Sequence, residues 1–178
     1  ILALASMFVS CKHETIDLYE LDDAKIYFQV QSYSSANGAV GYSNSTDYSF
    51  VGVNQNVTGL TFKATIQMMG QVVDYDRECK ITIDADSTTM VEGVDYEIDL
   101  DTLKIKAGQS KATFGVRFLR SQNIKEKKQV LCLKLLPNKY FQVLEKYRST
   151  NVWSNTTAKE MDGSRFAFDM SESYQQPR

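Results

Sequence analysis

Apolar and polar positions alternate with a period of two along most of the chain. Ile26, Phe28 and Val30 alternate with Tyr27, Gln29 and Gln31, and Leu60, Phe62, Ala64 and Ile66 alternate with Thr61, Lys63, Thr65 and Gln67. Ile81, Ile83 and Ala85 repeat the pattern, as do Leu103 and Ile105, Phe114, Val116 and Phe118, and Leu131, Leu133 and Leu135. Successive side chains of an extended chain point to opposite faces, so each run has one face to bury and one to wet. Gly70, Asp86-Ser87, Glu92-Gly93, Ala107-Gly108 and Pro137-Asn138 punctuate the runs as turn signals. Short strands at such spacing, without helical patterns between them, predict an all-β sandwich or barrel. Only short helical pieces are expected, around 125–128 and 140–146. Residues 32–46 (SYSSANGAVGYSNST) read as a polar loop, followed by a strand over 48–53.

The first residues follow another logic. Residues 1–9 (ILALASMFV) are apolar with small residues interspersed, too short to span a bilayer, and Ser10-Cys11 follows. Phe8-Val9-Ser10-Cys11 resembles a bacterial lipobox, in which the cysteine thiol receives a diacylglycerol and the preceding peptide bond is cut. An ordinary signal peptide with an incidental cysteine and a buried N-terminal helix are the alternatives. The expected organisation is therefore a lipoprotein signal peptide over 1–11, truncated at its N-terminus and ending at the lipidated Cys11. A polar tether over 12–24, a β-sandwich over 25–170, and the start of a truncated continuation over 171–178 follow. The expected location is the bacterial outer membrane, lipid-anchored, with the periplasmic and surface faces both open.

Composition narrows the chemistry. The 178 residues are 43% apolar, enough for a core, and the net charge of −2 argues against nucleic acid as a partner. The single histidine, His13, falls on the tether, and no Gly-rich loop leads into a helix, so no enzyme activity and no cofactor are expected. Asp84, Asp86, Glu92, Asp95, Glu97, Asp99 and Asp101 are acids near turns, but calcium needs carboxylates converging from more than one loop. Cys79 and Cys132 lack metal-ligand spacing with any histidine. Alternation places Cys79 on the face of Ile81 and Ile83, and Cys132 on the face opposite Leu131 and Leu133. Free thiols are expected from this parity unless a bulge shifts it.

Glu92-Gly93-Val94-Asp95-Tyr96, then Leu103 to Gly108 (LKIKAG), then Ala112 to Val116 (ATFGV), resemble the Calx-beta arrangement of a G-x-D-Y turn, a strand, an x-A-G turn and a second strand. Gly93 suits a tight turn, Asp95 can cap it, Tyr96 can plug the sandwich end, and Gly108 suits a reversal. True Calx-beta domains can bind calcium through a second acidic cluster; the corresponding segment here, 121–128 (SQNIKEKK), is basic. With the lipobox, and with Met69-Gly70 and Asp74 to Glu78 (DYDRE) before the next strand, the chain resembles a Bacteroidetes lipoprotein family of unknown function. Its members carry an N-terminal immunoglobulin-like domain and lie near SusC/SusD-type uptake systems. The resemblance implies an antiparallel immunoglobulin-like β-sandwich of about seven to eight strands. Phe166 to Asp169 (FAFD) would be its last strand. It also implies a non-catalytic accessory binding or spacer module of a surface glycan-uptake system, whose partner is an envelope protein or a glycan. Two alternatives stand beside it: a glycan-binding surface protein using loop aromatics, and a structural or adhesive stalk subunit. Tyr33, Tyr42, Tyr48 and Trp153 are the candidate stacking residues, with capping of the sandwich ends as their other reading.

Overall fold

The computed structural model describes residues 24–29, 31–34, 40–149 and 159–172. Cys11, the tether, Trp153 and the stretch beyond 172 lie outside them. The strands are β1 (Lys25–Phe28), β2 (Gln31–Ser34), β3 (Val40–Ser43), β4 (Ser45–Ser49), β5 (Gly59–Met69), β6 (Arg77–Glu78), β7 (Lys80–Ile83), β8 (Tyr96–Ile98), β9 (Lys104–Ile105) and β10 (Lys111–Leu119). After one short helix, α1 (Gln122–Glu126), come β11 (Gln129–Leu136), β12 (Gln142–Val143), β13 (Lys146–Ser149), β14 (Lys159–Asp162) and β15 (Arg165–Ser171).

Two sheets form the sandwich, one in the order β12-β1-β5-β10-β8 and the other β4-β15-β11-β7. Three two-stranded ladders, β2-β3, β6-β9 and β13-β14, close the loops. The longest pairing joins β5 and β10 antiparallel over nine residues, from Lys111 opposite Gln67 to Leu119 opposite Gly59.

The predicted alternation is visible in burial. Ala112, Phe114, Val116 and Phe118 of β10 are buried while Lys111, Thr113, Gly115 and Arg117 are exposed. Ala64, Ile66 and Met68 of β5 point inward from the other side of that ladder. Aromatic rings lock the sheets together. Phe118 of β10 meets Phe168 of β15 with ring centroids 5.3 Å apart, and Phe28 of β1 meets Phe166 of β15 at 5.9 Å. The G-x-D-Y and x-A-G turns fall where expected: Gly93 has φ +75° and Gly108 φ +74°, conformations that cost a glycine little.

Several expectations need correction. The two main sheets hold nine strands and are not purely antiparallel, because β4 pairs parallel with β15 and β12 pairs parallel with β1. These edge pieces (STDYS and QV) carry no alternation to reveal them. Residues 32–46 are not one loop but contain the β2-β3 hairpin and the start of β4. The strand expected over 48–53 ends at Ser49, and that expected through Ala85 ends at Ile83, where Ala85–Ser87 make a 3-10 turn. Residues 140–146 form no helix; main-chain bonding of Gln142 and Leu144 to β1 extends them. The other helical piece exists but begins earlier, at Gln122, where the Ser121 side chain accepts from the Ile124 N–H as an N-cap.

Candidate functional site

At the end of the sandwich where β1 begins, the chain between β5 and β6 meets the chain between β11 and β12. Asn138 organises this meeting. Its Oδ1 accepts from the main-chain N–H groups of Tyr140, at 2.8 Å, and Phe141, at 3.0 Å. Its Nδ2 donates to the Glu78 carbonyl at 2.7 Å. A Pro-Asn turn thus crosses to the β6 segment, and the Gln142 N–H donates to the Ala24 carbonyl at 2.9 Å, which fixes the far side. The result is a cleft of 130 Å³ lined by Val73, Tyr75, Arg77, Asn138, Lys139, Tyr140, Phe141 and Gln142.

Aromatic rings form its rim. Tyr75 is 53% exposed, and its ring centroid lies 6.4 Å from that of Tyr140 with the planes tilted by 49°. Lys139 Nζ sits 4.8 Å from the Tyr140 ring centroid, within cation–π range. Met69 and Val72, two more of the exposed large hydrophobics, belong to the chain beside Tyr75.

The unusual group is Arg77, only 4% exposed. Its guanidinium carbon lies 4.7 Å from the Phe141 ring centroid. Nη2 donates to the Gln71 carbonyl at 3.3 Å and rests against the Met68 sulfur, a weak acceptor. Nε is enclosed and has no acceptor. No ion pair among the described residues involves Arg77. A buried charge without a counter-ion costs several kcal/mol, roughly, and here only the Phe141 ring face and the Gln71 carbonyl offset that cost. No acid lines the cleft. Asp74 and Asp76 flank Tyr75 in the sequence, but Asp76 is held by Lys106 at 2.9 Å and by the Ala107 N–H at 3.0 Å. Those bonds keep its carboxyl below the usual aspartate range.

A broader depression of 690 Å³ lies on another part of the surface, between residues 50–56, Arg120 and Glu172. Its charged groups already satisfy each other. Arg120 binds Glu172 Oε1 through Nε, at 2.8 Å, and Nη2, and reaches the Asn54 carbonyl through Nη1 at 2.9 Å. One oxygen, Glu172 Oε2, is buried without a hydrogen bond. The smaller cleft is the better candidate because it combines an unpaired cation with an exposed aromatic rim.

The aromatics singled out from the sequence fare differently. Tyr48 is half-buried in β4, with its ring stacked on Phe62 at 3.5 Å between centroids and 6.4 Å from Phe168. One of its faces belongs to the core edge, which is the capping role. Tyr33 and Tyr42 have their backbones in the β2-β3 hairpin, while their side chains, and all of Trp153, lie outside what the structure describes. Tyr75 and Tyr140 were visible in the sequence beside turn residues, but only the fold brings them together.

The acidic turn residues do not converge. Among the described residues, no group of three or more His, Cys, Asp or Glu side chains could hold a metal ion. Asp95 is fully buried, and its carboxylate accepts from the Val91 N–H at 2.8 Å, from Ser121 Oγ, and from Asn123 Nδ2 at 3.0 and 3.1 Å. Protein donors, supplied by the turn and by the 121–128 segment, thus occupy both oxygens. The thiols are free, Cys79 in the core and Cys132 on the outer face of β11, buried there. Burial pushes the Cys79 thiol up to about 11 and raises that of Cys132 as well.

Residues 19–162 match the family described as Domain of unknown function (DUF4843). No curated protein matches the sequence. Among solved structures, similarity is found to a protein of Bacteroides ovatus described as a "putative carbohydrate binding protein". The TM-score is 0.46 at 11% identity, over 84% of this chain and 37% of that one.

Proposed function

The chain belongs to the DUF4843 family, and from that premise and the cleft's geometry we propose that it is a non-catalytic glycan-binding module. In this reading the lipid on Cys11 holds it at the bacterial outer membrane, as an accessory of a SusC/SusD-type uptake system. The observation that carries it is the exposed Tyr75 beside Tyr140, at a cleft that Arg77 also lines without an ion-pair partner. Aromatic faces take the apolar face of a sugar ring, while fixed donors take its oxygens, the usual division of labour in a ligand pocket. The cleft itself holds no carboxylate pair of the kind that glycoside hydrolysis uses.

Affinity electrophoresis against a polysaccharide panel tests the reading. A retarded band is expected for at least one polymer, weakened roughly tenfold by Tyr75→Ala and by Tyr140→Ala, a loss of about 1.4 kcal/mol each. Binding that both variants leave unchanged overturns the site. Turnover of a polysaccharide that a single carboxylate substitution abolishes overturns the non-catalytic assignment. For the anchor, Cys11→Ser is expected to move the protein from the membrane pellet to the soluble fraction of cell lysates.

A further inference from the structure

We infer that the glycan bound at the Tyr75–Tyr140 cleft is acidic, its carboxylate or sulfate ester seated against Arg77 and Lys139. This rests on the reading of the cleft as a glycan site and specifies what that site selects.

The argument starts from charge. The cleft is lined by two cations and no acid. Neither Arg77 nor Lys139 has an ion-pair partner among the described residues; of the two acids that flank Arg77 in the chain, Asp76 is bound by Lys106 and lies 3.8 Å from Lys104, and Glu78 is exposed. Arg77 is 4% exposed and its Nε has no acceptor. Its Nη1 makes no hydrogen bond either and is not among the enclosed atoms. Of a guanidinium's five donors, those on Nη1 are thus the ones open to an oxygen of a carboxylate or sulfate. The guanidinium is oriented by the Phe141 ring behind it and the Gln71 carbonyl beside it. A neutral sugar hydroxyl supplies hydrogen-bond acceptors to such a group but leaves its charge uncompensated.

In this reading the sugar ring lies on the exposed Tyr75 while its charged substituent enters the cleft. Lys139 lies on the surface over Tyr140, where it adds charge without steric definition.

Titration calorimetry on the whole chain carrying Cys11→Ser tests this with two matched pairs. One is an oligogalacturonate against its carboxyl-reduced form, and the other a sulfated oligosaccharide against its desulfated form. The expected result is at least tenfold tighter binding of a charged member than of its neutral counterpart, with the preference shrinking as salt is added. Which pair shows the larger difference distinguishes carboxylate from sulfate. Lys139→Gln, at an exposed position, is expected to reduce the preference severalfold without disturbing the fold. Arg77→Lys, which keeps the charge and removes the Nη1 donors, is expected to reduce it roughly tenfold. Equal binding of charged and neutral members, reduced by Tyr75→Ala, overturns the acidic assignment and leaves the glycan site standing. Failure of every member to bind overturns both.

Discussion

Asp95 is the residue on which the most local structure depends. Its main-chain carbonyl accepts from the Leu119 N–H at 2.8 Å, while its carboxylate gathers Val91, Ser121 and Asn123. It therefore joins the turn before β8, the end of β10 and the cap of α1. Asp95→Ala would leave several buried donors without acceptors. The expected loss is about 3 kcal/mol or more, read as a lower urea midpoint at an unchanged slope. The capping role was legible from the G-x-D-Y turn. Ser121 and Asn123 as the donors were not, because no spacing rule links residues that far apart in the chain. The thiols behave as the parity argument implied, but the depth of Cys132 did not follow from it. There the Cys132 N–H donates to Thr88 Oγ1 at 3.0 Å, which ties the segment after β7 to β11. With both thiol pKa values raised by burial, iodoacetamide at pH 8 should leave Cys79 and Cys132 unmodified in the native protein. Peptide mass spectrometry should show both modified once denaturant is added.

Among the elements, β5 and β10 form the axis of the first sheet, and β15 completes the core from the second. Phe118 is fully buried between Phe62 and Phe168. Phe118→Ala should cost about 3–5 kcal/mol in equilibrium unfolding, since the surrounding rings cannot close the cavity. At the outer end of β15, Glu172 ties the sheet to Arg120 and through it to the loop at 53–57. Hydrogen bonds from Arg120 hold the Glu172 carboxyl below the usual glutamate range. The pair's contribution is thus fully present above the ordinary glutamate pKa, about 4.3, and is lost as pH falls through the depressed value. Glu172→Gln should therefore lower Tm at neutral pH and narrow its difference from wild type at acid pH. Alternation exposed the long strands because each has one buried face. It could not expose β12, whose two residues are extended by their bonds to β1, nor the need for Gly163. A Cβ on Gly163 would lie 2.3 Å from the Leu144 carbonyl oxygen and 2.8 Å from Tyr27 Cβ. That crowding arises from chain segments that meet only after folding.

For the whole molecule, the binding hypothesis shifts from the polar loops to one pole of the sandwich. The sequence marked aromatics beside polar stretches, a fair criterion for exposure, yet Tyr48 lies on Phe62 while Tyr75 stands 53% exposed. What distinguishes them is the partner each finds across the fold. The same holds for Arg77. On an alternating count it looks like any inward-facing strand residue, and only its lack of a counter-ion sets it apart.

The hydrogen bond between Gln142 and Ala24 has a consequence for reach. It puts the start of β1 beside the cleft, as does the close approach of Gly70 to Ala24. If Cys11 is the anchor, the leash leaves from the same pole as the binding site and, fully stretched, extends on the order of 45 Å. The cleft would then be confined to that distance from the bilayer, in a thin layer that slender oligosaccharides enter more readily than bulky polymer particles. Inserting a flexible segment after His13 should raise capture of long polymers by whole cells and leave the affinity of the purified chain unchanged.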